Sequence, residues 1–245
     1  MGDEMDDTGP AGERWKIAAA RRLLYRHGCD SGIAGQVSSR SADGRGFWIT
    51  PFEFFDETTP DRVMLLDFDL GVLEGSGPAS PAVQFHAEIY RARPEVGAVI
   101  HTHSKNAMVL SATGSELGMY HAEATVFAGR QALLEDDGTR PSVHGPTVAR
   151  TIGDRRVLIV KNHGIVTVAD TVERATVNAI AFEAMAGVHL SCVATGGTEM
   201  LPAEVAQAQR DYDQHFHAAT WSAIIRRLER SDPDLFAPGV PGSGR

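Results

Sequence analysis

Three histidines carry the chemistry that this chain of 245 residues most plainly offers. His101-Thr102-His103 closes the apolar run Val96-Gly97-Ala98-Val99-Ile100. Such a run reads as a buried strand that delivers polar groups at its C-terminal end. On a strand, residues two apart point to the same side, about 6–7 Å along the chain. Two imidazoles placed that way can chelate one cation, while Thr102 faces the opposite layer. A bare His-x-His is common, and strand-end histidines satisfied by water or backbone share the spacing. The third element is His163, in Lys161-Asn162-His163-Gly164 directly after another β-branched run. Gly164 there permits a tight turn. Adjacent strands bring His163 beside the pair and complete three neutral nitrogen ligands with one open position. That set points to catalytic rather than structural zinc.

The elements that must position these residues follow from patterning. Residues 12–27 are rich in helix formers, and Gly28 is placed to end that helix. Strand-like pieces follow at 36–40, 47–50, 63–67 and 72–74. Pro81 opens a helix that Pro94 stops. The pattern predicts helices at 106–112 and 147–152, and strands at 156–161 and 165–168. Asp170-Thr171-Val172-Glu173 reads as a capping box that starts an Ala-rich helix to about Cys192. A last helix spans 203–230 and carries Tyr212, Phe216, Trp221, Ile224 and Leu228. No internal repeat interrupts the middle. One α/β domain over 12–230 is the simplest account, with an acidic tail at 1–11 and a flexible C-terminal tail at 231–245.

Charge and composition narrow the partners. The net charge of −9 and the pI near 5.5 argue against nucleic acid. No apolar run approaches the length needed to span a bilayer, and the N-terminus lacks the layout of a signal peptide. Cys29 and Cys192 match no metal or redox spacing and read as buried free thiols, so the cytoplasm is expected.

Several segments together resemble the class II aldolase/adducin superfamily. They are Gly35-Gln36-Val37-Ser38-Ser39-Arg40, Ile49-Thr50-Pro51, Phe85-His86-Ala87-Glu88 on to Val96, Ala98 to Ser104, and Lys161-Asn162-His163-Gly164. The resemblance runs over roughly residues 14 to 195. It implies that His101, His103 and His163 bind a catalytic divalent metal, zinc first, with iron, manganese or cobalt as alternatives. It also implies a three-layer α/β/α fold around a largely antiparallel sheet, and a homotetramer with active sites at subunit interfaces. Gln36, Ser38 and Thr50 fall on its substrate-binding segments.

The departures matter as much. The glutamate that serves sugar-phosphate aldolases as acid/base falls on Ala82, which cannot transfer a proton. Downstream, Tyr120-His121-Ala122-Glu123 resembles the His-x-Glu segment of methylthioribulose-1-phosphate dehydratases, which implies Glu123 as the acid/base. His121 would orient it or line the pocket. Gln36 replaces an asparagine, Pro81 replaces a serine, and Phe52-Glu53-Phe54-Phe55 follows Thr50-Pro51. Those changes disfavour a phosphate dianion. The expectation is a lyase (aldolase, dehydratase or decarboxylase) that acts through an enolate-like intermediate on a non-phosphorylated small molecule, without nucleic acid or membrane. Two alternatives remain: a non-haem Fe(II) oxygenase acting on an aromatic oxo acid, and a non-catalytic binding domain like that of adducin.

Overall fold

The computed structural model describes residues 12–30, 32–135 and 144–237. The expected tail at 1–11 therefore lies outside the described residues. Among the described residues, eight strands form one sheet: β1 (Gln36–Arg40), β2 (Gly46–Ile49), β3 (Met64–Asp67), β4 (Val72–Glu74), β5 (Ala98–Thr102), β6 (Gln131–Leu134), β7 (Val157–Val160) and β8 (Gly164–Ala169). Their order across the sheet is β4-β3-β2-β1-β5-β8-β7-β6. Every neighbouring pair is antiparallel except β6 with β7. Strand β6 was not among the expected elements.

Side-chain alternation splits the sheet into two faces. Val99, Val166 and Val168 pack with α2 (Val83–Ala92) and α4 (Gly145–Ile152). Val37, Trp48 and Ile100 face α1 (Glu13–Arg26) and the first turns of α5 (Val172–Thr195). Further along that face, Ile159 and Ile165 meet α3 (Lys105–Thr113) and the middle of α5. Helix α6 (Pro202–Ser231) lies outside α1 and α5, with Ile224 and Leu228 buried against Trp15, Leu23 and Val177. The result is three layers, α/β/α.

Three expectations need correction. Thr171 rather than Asp170 caps α5: its side chain accepts from the Arg174 amide, while Asp170 pairs with the Arg174 guanidinium at 3.3 Å. By length and composition α5 is apolar enough to cross a membrane. Much of that apolar surface is core, covered by the sheet, α1 and α3. Finally, residues 231–237 of the expected flexible tail pack, while 238–245 lie outside the described residues. Leu235 is buried, its carbonyl accepts from Trp15 Nε1 at 2.8 Å, and Asp232 accepts from Arg26 Nε at 2.5 Å.

Candidate metal centre

Four strand ends meet at one edge of the sheet: the start of β1, the end of β2, the end of β5 and the start of β8. The register pairs Gln36 with His101 across β1 and β5, and Thr102 with Ile165 across β5 and β8. The tight turn from β7 to β8 then carries His163 to the level of His103. Asn162, with φ of 56°, takes the left-handed conformation in that turn, and the His163 amide bonds to the Val160 carbonyl at 3.1 Å. The left-handed residue is thus Asn162 and not Gly164.

The three Nε2 atoms converge. They lie 2.8 Å apart for His103 and His101, 3.0 Å for His103 and His163, and 3.3 Å for His163 and His101. A tetrahedral zinc with nitrogen ligands near 2.05 Å would set such atoms about 3.3 Å apart. The rings of His101 and His163 are nearly parallel, and that of His103 stands edge-on to both. His101 Nδ1 donates to the Ile165 carbonyl at 2.8 Å, which fixes the tautomer and leaves the Nε2 lone pair directed at its neighbours. These residues fit a divalent cation.

Electrostatics agree with ligands kept neutral. Burial, and then the neighbouring rings of His103 and His163, hold His101 well below the usual histidine range. Burial and His163 bring His103 down to about 4. Neutral imidazole is the form that binds metal.

Around this centre, Gln36 sits on the same face as His101. Its amide nitrogen donates to Ser80 Oγ at 3.0 Å, and its Oε1 is buried without a hydrogen-bond partner among the described residues. Thr50 Oγ1 is likewise buried and unpartnered. Such atoms suit a polar ligand. Ser38, expected at the substrate, lies one pleat further back. Its fully buried hydroxyl is engaged by His86 Nδ1 at 2.7 Å and Tyr90 Oη at 2.8 Å, so it supports α2 instead. His86 Nε2 is buried without a partner among the described residues. Ala82 stands at the N-cap of α2 and brings no titratable group.

The structure does not put Glu123 in the layer that His101 faces. His101 packs edge-on against Phe85 of α2. Glu123 belongs to a short 3-10 turn, Ala122–Phe127, and lines a narrow cavity with Ala181, Tyr212 and Phe216 of α5 and α6, on the opposite side of the sheet. Burial raises its pKa, with His121 pulling the other way. His121 caps that turn: its Nδ1 accepts from the Glu123 amide at 3.2 Å. The phenylalanine cluster also divides. Phe55 is core under the Arg21 guanidinium, while Phe52 and Phe54 are exposed and Glu53 is held by Arg62. Lys161 pairs with Glu135 at the surface, which removes any case for a buried amine nucleophile.

One positioning residue escaped sequence reasoning. Glu183, 7% exposed on α5, accepts from the backbone amides of Asn106 and Ala107, both at 2.9 Å. It thereby caps α3 from outside and holds the chain directly after His103. A carboxylate inside an Ala-rich helix was the one available signal.

Comparison with known proteins agrees with this architecture. The model of the "Class II Aldolase and Adducin N-terminal domain" matches residues 15–190. The chain is 30% identical, over 93% of its length and 86% of the relative's, to a 4-hydroxy-3-prenylphenylpyruvate oxygenase/4-hydroxy-3-prenylbenzoate synthase of Streptomyces roseochromogenus subsp. oscitans. It is 28% identical to a 3,4-dihydroxyphthalate decarboxylase of Arthrobacter keyseri, over 80% of this chain and 85% of that one. A meiotically up-regulated gene 14 protein of Schizosaccharomyces pombe is 33% identical, but the match spans 65% of this chain and 64% of that protein. An L-fuculose 1-phosphate aldolase from Glaciozyma antarctica PI12 superposes with a TM-score of 0.80 at 25% identity, covering 89% of this chain and 90% of that one. The chain belongs to the class II aldolase/adducin family. It is an enzyme of the class II aldolase-like type, and its aldolase and decarboxylase relatives support a lyase activity.

Proposed function

We propose a metal-dependent lyase that acts on a non-phosphorylated hydroxy- or oxo-carbonyl compound, with His101, His103 and His163 as the metal ligands. The observation that carries the reading is the convergence of three Nε2 atoms within 2.8–3.3 Å. A divalent cation there, zinc first and iron, manganese or cobalt as alternatives, supplies a Lewis acid that draws negative charge onto a substrate carbonyl oxygen.

The chain's own residues do the rest. The Ile165 carbonyl keeps His101 in the ligating tautomer. Gln36 Nε2 gives one of its two N–H groups to Ser80, and its Oε1 is the buried atom left as an unsatisfied acceptor. An acceptor welcomes a substrate hydroxyl and repels a phosphate dianion, which supports the non-phosphorylated class. Thr50 offers a second polar atom, and His121 steadies the turn that carries Glu123. Glu123 is the proton carrier in this reading, its carboxyl pKa raised by burial. As that carboxyl lies in the α5–α6 layer, it would serve the histidines of a second copy, in a cytoplasmic homotetramer whose sites form between subunits. The net charge of −9 suits a small-molecule partner rather than nucleic acid or membrane.

The test is metal analysis of the purified protein, chelation, and add-back of zinc or iron with lyase turnover and dioxygen uptake both followed. Zinc-restored cleavage without dioxygen uptake supports the lyase. Wild-type metal affinity in His103→Ala would remove the ligand assignment. A second reading, an Fe(II) oxygenase, is favoured by the oxygenase relative aligned over 93% of this chain. Iron-dependent dioxygen consumption would establish it in place of the lyase.

A further inference from the structure

Three arginines gather at the end of the sheet away from the histidines. Arg93 follows α2, Arg156 precedes β7 and Arg174 lies in the first turn of α5. With Glu95, Asp170 and Asn178 they line a cleft of about 220 Å³. Val96 also borders it, and the run from Val96 to His101 is roughly 16 Å of extended chain. The cleft and the metal centre are therefore separate places.

The guanidinium groups are only partly engaged. Arg93 Nε pairs with Glu95 at 2.8 Å and its Nη1 donates to the Arg155 carbonyl at 2.7 Å. Arg174 Nε meets Asp170 at 3.3 Å, and Arg156 Nη1 meets Asp213 at 2.9 Å. Each guanidinium offers five N–H donors, so most remain for something else. Planar forks of this kind match the oxygens of carboxylates and phosphates.

The independent observation is Asn178. It is 1% exposed, it lines the cleft, and neither its Nδ2 nor its Oδ1 has a hydrogen-bond partner among the described residues. Buried amides are almost always satisfied, so an orphaned pair at a cavity wall indicates a group from outside the chain. His217 borders the adjoining narrow cavity with Asn178 and Glu123, and its two ring nitrogens are likewise buried without partners among the described residues. A donor beside an acceptor on one amide matches a hydroxyl, which is both.

We propose that this cleft is a binding site for a small hydroxylated oxyanion, a hydroxycarboxylate or a phosphate monoester, distinct from the histidine centre of the same chain. The arginines take the anionic end and Asn178 takes the hydroxyl.

Isothermal titration of the full chain at low ionic strength tests it, with malate as the carboxylate probe and glycerol phosphate as the phosphate probe. At least one binds saturably, and which one binds tighter identifies the source of the oxyanion. Arg174→Ala and Arg93→Ala each weaken that binding at least tenfold while far-UV circular dichroism stays unchanged. His103→Ala leaves it unaltered. The proposal is overturned if neither probe saturates, if both folded arginine variants bind as the parent does, or if His103→Ala abolishes binding and so moves it to the metal centre.

Discussion

Gly164 lies so near β5 that a Cβ built on it would stand 2.3 Å from the Thr102 carbonyl oxygen and 2.9 Å from Cδ2 of His103. The backbone of one ligand turn is thus packed directly on another ligand's ring. Gly164→Ala must push β8 from β5 or swing the His103 ring. The expected cost is about 1–3 kcal/mol in stability, with at least a tenfold fall in zinc affinity. Denaturant unfolding and a competitive zinc titration read both, and parental affinity in the variant would show that the strands absorb the methyl group.

The Glu183 cap predicts a milder variant. Glu183→Gln keeps the shape but loses the charge that accepts from Asn106 and Ala107. A loss of about 1–2 kcal/mol is expected. Hydrogen exchange at those two amides should rise in step. Unchanged protection would mean that α3 is held by packing alone.

Glu123 offers a test of shared sites. Glu123→Gln should retain metal and lose turnover, and His103→Ala should lose both. If one copy's carboxyl serves another's histidines, mixing the two inactive variants by reversible dissociation restores about a quarter of the activity, as random reassembly places both intact groups at that share of interfaces. Full activity of Glu123→Gln alone would remove Glu123 from the reaction.

Acid sensitivity follows from the buried rings. Burial lowers His86 to about 3, against roughly 6.5 in an unfolded chain. A base whose folded value is depressed leaves the unfolded state binding more protons. Stability is therefore fully present above about pH 6.5 and is lost as pH falls toward 3, by up to about 5 kcal/mol for this residue. Chemical denaturation of metal-free protein across that range should show the slope. His86→Gln should flatten it; an unchanged slope would assign acid sensitivity to other groups.

How much of this could be read from the sequence varied by element. The pair His101 and His103 was legible because strand alternation fixes which residues share a face, and an apolar run marks the strand. Its meeting with His163 depended on β5 and β8 being neighbours, which Gly164 and the following β-branched residues only hinted at. Strand β6 was missed since Gln131-Ala132-Leu133-Leu134 is short and carries no β-branched residue; pairing with β7 makes it a strand. The cap of α5 was displaced by one residue because Asp170 and Thr171 are both good caps and only the backbone decides between them. Glu123 was recognisable as a motif, yet the layer it occupies is a property of tertiary packing that no local pattern encodes. Ser38 failed for the same reason, its hydroxyl claimed by α2 residues some fifty positions away.

Trp15 and Leu235, 220 positions apart, are joined by a direct hydrogen bond, and Arg22 and Arg26 bind Asp232 and Asp234 beside them. Helix α1 is thus closed by residues more than 200 positions further along the chain. A chain that stops before position 232 therefore leaves that seam on α1 unshut, since the partners of Trp15, Arg22 and Arg26 have not yet been made.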